Sequence, residues 1–261
     1  MLRLFLIASL LAGSSLANGQ EKPSRENAIA VINRAIKAMG SEEKLKLRKG
    51  YRLLEKGMLR KPYSGQLGSV VRGLGNDYYR EDCVFFGQQS PDSYRMLSYI
   101  WNARPDGVQY GSKQAMAMMG DPHIKTMRCT TAMYSLGFDP SSLKDKELYS
   151  FTLQQEEKLE EEPVIRIDVE GVSEPLLQLS CFFSKRTGLL KKTSFLEVLP
   201  HDPKGSEHAM LYLVYQDVEG VKTPYLVEHR PSHWECIGTI TGLQFTTELN
   251  EADFVVEVEG Q

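Results

Sequence analysis

Apolar residues recur at helical spacing in two stretches of the chain and at every second position over most of the remainder. The first helical stretch covers 25–39, where Ile29, Ile32, Ile36 and Met39 share one face. Ser24 stands as its N-cap and Gly40 as its stop. Glu26, Asn33, Arg34 and Lys37 occupy the other face. From Tyr51 the period shortens to two. Segments 51–59, 76–86 and 93–101 carry aromatic, β-branched and apolar residues between clusters of Gly, Pro, Asn and Asp, and read as strands. Residues 113–138 interrupt them as two short helices. The first, capped by Ser112, holds Ala115 to Met119. The second follows Asp121-Pro122 and holds Ile124, Met127, Met133, Tyr134 and Leu136.

Strands resume after Asp139-Pro140. Ile165, Ile167 and Val169 alternate with Arg166, Asp168 and Glu170, and Leu177, Leu179, Cys181 and Phe183 alternate with Gln178, Ser180 and Ser184. The apolar members should face a covered side, because a half-buried strand alternates with period two. Turns are expected at Lys185–Gly188 and at Glu219-Gly220, the latter joining 210–217 to 223–229. The acidic run from Glu156 to Glu162 reads as a solvated loop. The last strand covers 236–247. One helix, several strands, an inserted helical pair and more strands make an α+β fold. About nine to eleven antiparallel strands in one sheet curl strongly, giving an incomplete β-barrel.

The N-terminus changes the setting. Met1-Leu2-Arg3 is a short positive start, Leu4 to Leu16 is a thirteen-residue apolar run, and Ser15 and Ala17 suit a cleavage site. That is the layout of a secretory signal peptide over 1–17 rather than a spanning anchor. The expected mature chain, 18–261, is one periplasmic or secreted domain without a transmembrane segment. The formal charge of −3 becomes −4 once Arg3 is lost, which argues against nucleic acid as a partner. With 41% hydrophobic and 25% charged residues, the 261-residue chain is globular rather than disordered. Export leaves two readings of Cys83, Cys129, Cys181 and Cys236: two disulfides of unassigned pairing, or buried thiols. The basic stretch Lys44, Lys46, Arg48, Lys49 and Arg52 suits a solvated surface, an acidic partner or lipid head groups.

Catalytic signatures are missing. The sequence has no G-x-S-x-G elbow, P-loop or H-E-x-x-H. Gly73-Leu74-Gly75 is a turn, and Pro231 keeps His229 and His233 from aligning on a helix as metal ligands. No catalytic residue, cofactor or metal is implied. The distinctive feature is methionine: half of the ten, Met116, Met118, Met119, Met127 and Met133, lie in the helical insertion. Flexible thioethers suit adaptable apolar surfaces. The insertion reads either as a movable lid over an apolar cavity or as a fixed cap on the core.

Three segments of the second half carry a family likeness: Cys181 to Leu190 (CFFSKRTGLL), Tyr215 to Pro224 (YQDVEGVKTP) and Ile240 to Phe254 (ITGLQFTTELNEADF). With the leader, the helix ending in Met39-Gly40 and the strand carrying Lys56-Gly57, their order resembles the LolA/LolB-like lipoprotein-carrier superfamily. The resemblance implies a strongly curved, unclosed antiparallel barrel, helices over its open side, and an apolar cavity for acyl chains. The expected function is a non-enzymatic exported carrier of lipid or lipoprotein. An envelope protein-binding or sensory module of the same fold is the alternative, with an envelope protein as partner, and a secreted hydrolase is a third. No functional residue of the carriers maps onto this chain. The candidate lipid-binding wall is therefore chosen from large apolar side chains on strands and insertion: Trp101, Met116, Met119, Met127, Met133, Phe183, Tyr212 and Phe245.

Overall fold

The computed structural model describes residues 25–46, 48, 50–61, 64–75, 78–90, 93–104, 107–110, 121–173, 177–199, 202–230 and 235–255. The leader, Met116 and Met119 lie outside them. One twelve-stranded sheet contains every described strand, one more than the upper end of the expected range. In chain order these are β1 (Gly50–Lys61), β2 (Ser64–Leu74), β3 (Tyr78–Ser90), β4 (Ser93–Arg104), β5 (Gly107–Tyr110), β6 (Tyr149–Leu159), β7 (Glu162–Gly171), β8 (Gln178–Ser184), β9 (Leu190–Leu199), β10 (Asp202–Val218), β11 (Val221–Arg230) and β12 (Glu235–Thr246). Two antiparallel meanders, β1–β5 and β6–β12, meet where β12 returns to pair with β1. Strands β5 and β6 are the free edges, so the curved sheet does not close.

Helices α1 (Arg25–Met39), α2 (Glu42–Lys46) and α3 (Asp121–Phe138) complete the described elements with two 3₁₀ turns, Pro140–Lys144 and Glu251–Phe254. Helix α1 has the expected bounds. Its apolar stripe of Ala28, Ile32, Ala35, Ile36 and Met39 is buried, and Arg34 donates to the Lys185 and Arg186 carbonyls in the β8–β9 turn. The helix is thereby anchored to the sheet by one apolar face and one cation.

The inner face, against α1 and α3, takes alternate residues of each strand, as period-two patterning requires. Ile167, Val169, Leu177, Leu179, Cys181 and Phe183 are buried there, with Ile165 half-buried opposite Phe183. On the other face Arg166 pairs with Asp168 at 2.7 Å, and Ser180 donates to the same carboxylate. Glu219 and Gly220, at φ 52° and 75°, form the two-residue turn between β10 and β11. Positive φ at both positions is the type I′ geometry that matches strand twist.

Two readings are corrected. Glu156 and Glu157 belong to strand β6, pairing in register with β7; only Glu160 and Glu161 form the turn. The second inserted helix is one continuous helix of 18 residues. The basic stretch lies at the surface as expected, with Lys44 and Lys46 exposed, and its cations also make local contacts. Lys44 donates to the Gly220 carbonyl, Lys46 pairs with Glu42, and Arg48 binds Thr223 and the Val218 carbonyl.

Candidate functional site

Helix α3 fills the inside of the half-barrel. Positions 131–138 are buried on every side, a pattern reserved for helices enclosed by protein. Met133, Phe183 and Tyr212 are almost fully enclosed, and they share one continuous apolar cluster with Met127. The Tyr212 hydroxyl donates to the Met133 carbonyl at 2.6 Å and lies 3.0 Å from Thr193 Oγ1, so a wall strand grips the helix backbone directly.

A polar patch lies on the same inner face. Glu55 stands at an inward position of β1, between the inward-facing Leu53 and Leu59, and is 3% exposed. Its Oε1 meets Nε2 of His229 on β11 at 2.9 Å, and its Oε2 accepts from the Tyr134 hydroxyl of α3 at 2.9 Å. Gly238 of β12 makes the room, since a Cβ there would collide with the Glu55 carboxylate. A second carboxylate, Glu81 of β3, accepts from Ser69 Oγ at 2.8 Å and from the Tyr79 hydroxyl at 3.3 Å. The Tyr79 and Tyr134 rings stand 5.5 Å apart and join the two halves of the patch.

Burial alone would neutralise these groups, and their mutual attraction opposes it. Desolvation pushes the Glu55 carboxyl up, but the charge and hydrogen bond of His229, with the Tyr134 hydroxyl, bring it below its ordinary value. Desolvation likewise lowers His229, while Glu55 and then Glu81 raise it above 6.5. Tyr134 is raised well above 10 by burial and by Glu55, so it remains a phenol and a donor. Between about pH 4.5 and 6.5 the pair is therefore an imidazolium–carboxylate ion pair inside the protein.

A looser Glu–His contact lies near the other end of the helix. Glu197 of β9 is buried, accepts from Thr126 Oγ1 of α3 at 2.9 Å, and lies 3.7 Å from His208 Nδ1 of β10. The Phe195 ring stacks on that imidazole at 4.7 Å. Helix α3 is thus hydrogen-bonded by Glu197 at Thr126, by Tyr212 at Met133 and by Glu55 at Tyr134. Among the described residues, Glu55 and Tyr134 are the hydrogen-bonding neighbours of His229. The group can move a proton between them, but it is closed to solvent and its evident effect is to position the helix.

Four of the eight candidate wall residues come together here: Met127, Met133, Phe183 and Tyr212. Phe245 is partly buried and packs against the same cluster from the rim by α2, with the Arg48 guanidinium 3.7 Å above its ring. Trp101 lies on β4 opposite Glu81 in register; its side chain, like Met116 and Met119, falls outside the described set. All four cysteines are buried and none is disulfide-bonded in the structure, an arrangement that fits the buried-thiol reading. Burial pushes the Cys181 thiol up to about 12. Glu55, Glu81, Glu197 and Tyr134 were not anticipated as a cluster. The available signal was Glu55 itself, a carboxylate at an inward position of an alternating strand. Among the described residues no metal-ligating group of three or more His, Cys, Asp or Glu occurs, and no helix is long and apolar enough to cross a membrane.

The arrangement is that of an unclosed antiparallel half-barrel with a helix seated on its inner face. No protein-family model and no curated protein matches the sequence. Solved structures of similar architecture include a LolA superfamily protein from Nitrosomonas europaea, at 11% identity over 87% of this chain and 97% of that one, with a TM-score of 0.48. A DUF1329 family protein from Desulfovibrio piger is 11% identical over 87% and 96%, with a TM-score of 0.46. An outer membrane lipoprotein-sorting protein domain from Vibrio parahaemolyticus is 14% identical over 85% and 97%, with a TM-score of 0.40.

Proposed function

We propose that the chain is a non-enzymatic exported carrier that holds acyl chains between helix α3 and the inner wall of the half-barrel. The observation behind this reading is the apolar cluster of Met127, Met133, Phe183 and Tyr212 on the inside of a sheet left open between β5 and β6. An aliphatic chain is thinner than a helix of about 10 Å, and it would enter between α3 and the apolar wall as the helix shifts outward on its few polar ties. Each CH₂ withdrawn from water contributes about 0.8 kcal/mol, so such a pocket needs no catalytic group. The sequence likeness supports the same reading. Its first two segments form the β8–β9 and β10–β11 hairpins, and its third forms the end of β12 with the Asn250-capped turn. Met116, Met119 and Trp101 belong to the proposed wall with the four clustered residues, and Phe245 to its rim.

The test is mass spectrometry of the chain recovered after export, followed by titration of the delipidated protein with palmitate and with a diacylated lipopeptide. Co-purified lipid and saturable binding are expected. Protein that carries no lipid and binds neither probe would overturn the reading.

A further inference from the structure

The outward residues of β1 alternate cation and hydrocarbon along the strand: Arg52, Leu54, Lys56, Met58 and Arg60. Leu54 and Met58 are 52% and 63% exposed, and Val84, across β2 on β3, is 48% exposed. The register places Met58 beside Gln66 and Ile237, and Lys56 beside Gly68 and Thr239. Gly68 meets nothing within 4 Å of a Cβ position, so this surface dips into a shallow groove of about 660 Å³. Lys56, Arg60, Met58, Val84 and Ile237 line it, and among the described residues its lining holds no carboxylate. This stands out in a chain of formal charge −3.

We propose that this outer face of β1–β3 and β12 is a docking surface for an anionic phospholipid membrane. Its chemistry is that of interfacial binders: apolar side chains at the depth of the acyl boundary, and long cationic side chains reaching up to phosphates. Charge complementarity also separates it from the other exposed apolar strip. The exposed Leu213 of β10 lines a groove that holds Glu160, Glu161 and Glu162 beside Arg186 and Lys191, a mixed and net acidic lining that suits an anionic surface less well. The proposal deepens the carrier reading, because a carrier must meet a bilayer to load or release an acyl chain. The docking face is on the outer side of the sheet from the proposed cavity, so loading would proceed around an open edge.

The experiment is flotation of the exported chain, its processed N-terminus checked by intact mass, with vesicles of phosphatidylcholine alone or mixed with phosphatidylglycerol. Binding is expected only to the anionic vesicles, weakening in 0.5 M salt. Lys56→Glu with Arg60→Glu should lower the partition coefficient at least about tenfold, and Met58→Gln should lower it by less. All variants should keep the wild-type melting temperature and wild-type palmitate binding in solution, a readout that fails only if the carrier reading itself fails. Absence of binding to anionic vesicles, or binding unchanged by the double reversal, would overturn the proposal. Capture of an acidic protein by this face with no vesicle binding would overturn it equally and assign the face to that partner.

Discussion

Glu55→Gln tests the buried ion pair with almost no change in shape. Glutamine can still accept from the Tyr134 hydroxyl, but it leaves the His229 imidazolium unpaired in a site where both residues are at most 9% exposed. Removing one partner of a buried pair costs about 3–5 kcal/mol. For a domain of this size each kcal/mol shifts the melting temperature by about 2–4 °C, so a drop of roughly 6–20 °C is expected near pH 6. The pH dependence is the sharper signature. The raised His229 value means its contribution is complete below about 6.5 and declines as pH rises through the folded value. The lowered Glu55 value means its contribution is complete above about 4.5 and is lost as pH falls through the folded value. The difference between wild type and Glu55→Gln should therefore be widest between about pH 4.5 and 6.5 and should shrink above it, where His229 turns neutral. Urea unfolding from pH 4 to 10 measures this. An equal difference at pH 6 and pH 10 would refute an ionised pair.

Gly238→Ala should reproduce much of the Glu55→Gln loss, because the new methyl evicts the Glu55 carboxylate from its seat, and the two changes together should cost less than their sum in a double-mutant cycle. Met133→Ala, at a position with no measurable exposure, should cost about 2–5 kcal/mol in urea unfolding. Tyr212→Phe removes the donor to the Met133 carbonyl and should cost about 1–3 kcal/mol, with exchange protection of the α3 amides falling in hydrogen–deuterium exchange. Ellman's reagent should find no reactive thiol in the native chain and four after denaturation, since all four cysteines are buried and Cys181 is raised to about 12.

What could be read from the sequence followed local periodicity. Helix α1 has a clean apolar stripe and was bounded to the residue. The β7–β8 alternation and the Glu219-Gly220 hairpin carry period-two and turn signals that need no distant partner. Strand β2 was missed because Gly65, Gly68 and Gly73 erase its alternation, although its register with β1 is unbroken. The second half of β6 read as a loop because it is a sheet edge, where charged side chains such as Glu156 and Glu157 are solvated and discourage further pairing. The length of α3 was obscured because its last turns are enclosed on all sides and so lack an amphipathic period. The polar patch was illegible for another reason: Tyr134 and His229 stand 79 and 174 residues from Glu55 in sequence, and only the closure of β12 onto β1 brings the elements together.

The most direct test of the carrier account is photo-crosslinking with a diazirine-bearing fatty acid on the delipidated chain, with labelled positions mapped by peptide mass spectrometry. An acyl chain held between α3 and the inner wall predicts adducts at Met127, Met133, Phe183 and Tyr212, competed away by excess palmitate. Labelling confined to outer-face residues such as Leu54 and Met58, or no competable labelling, would contradict it.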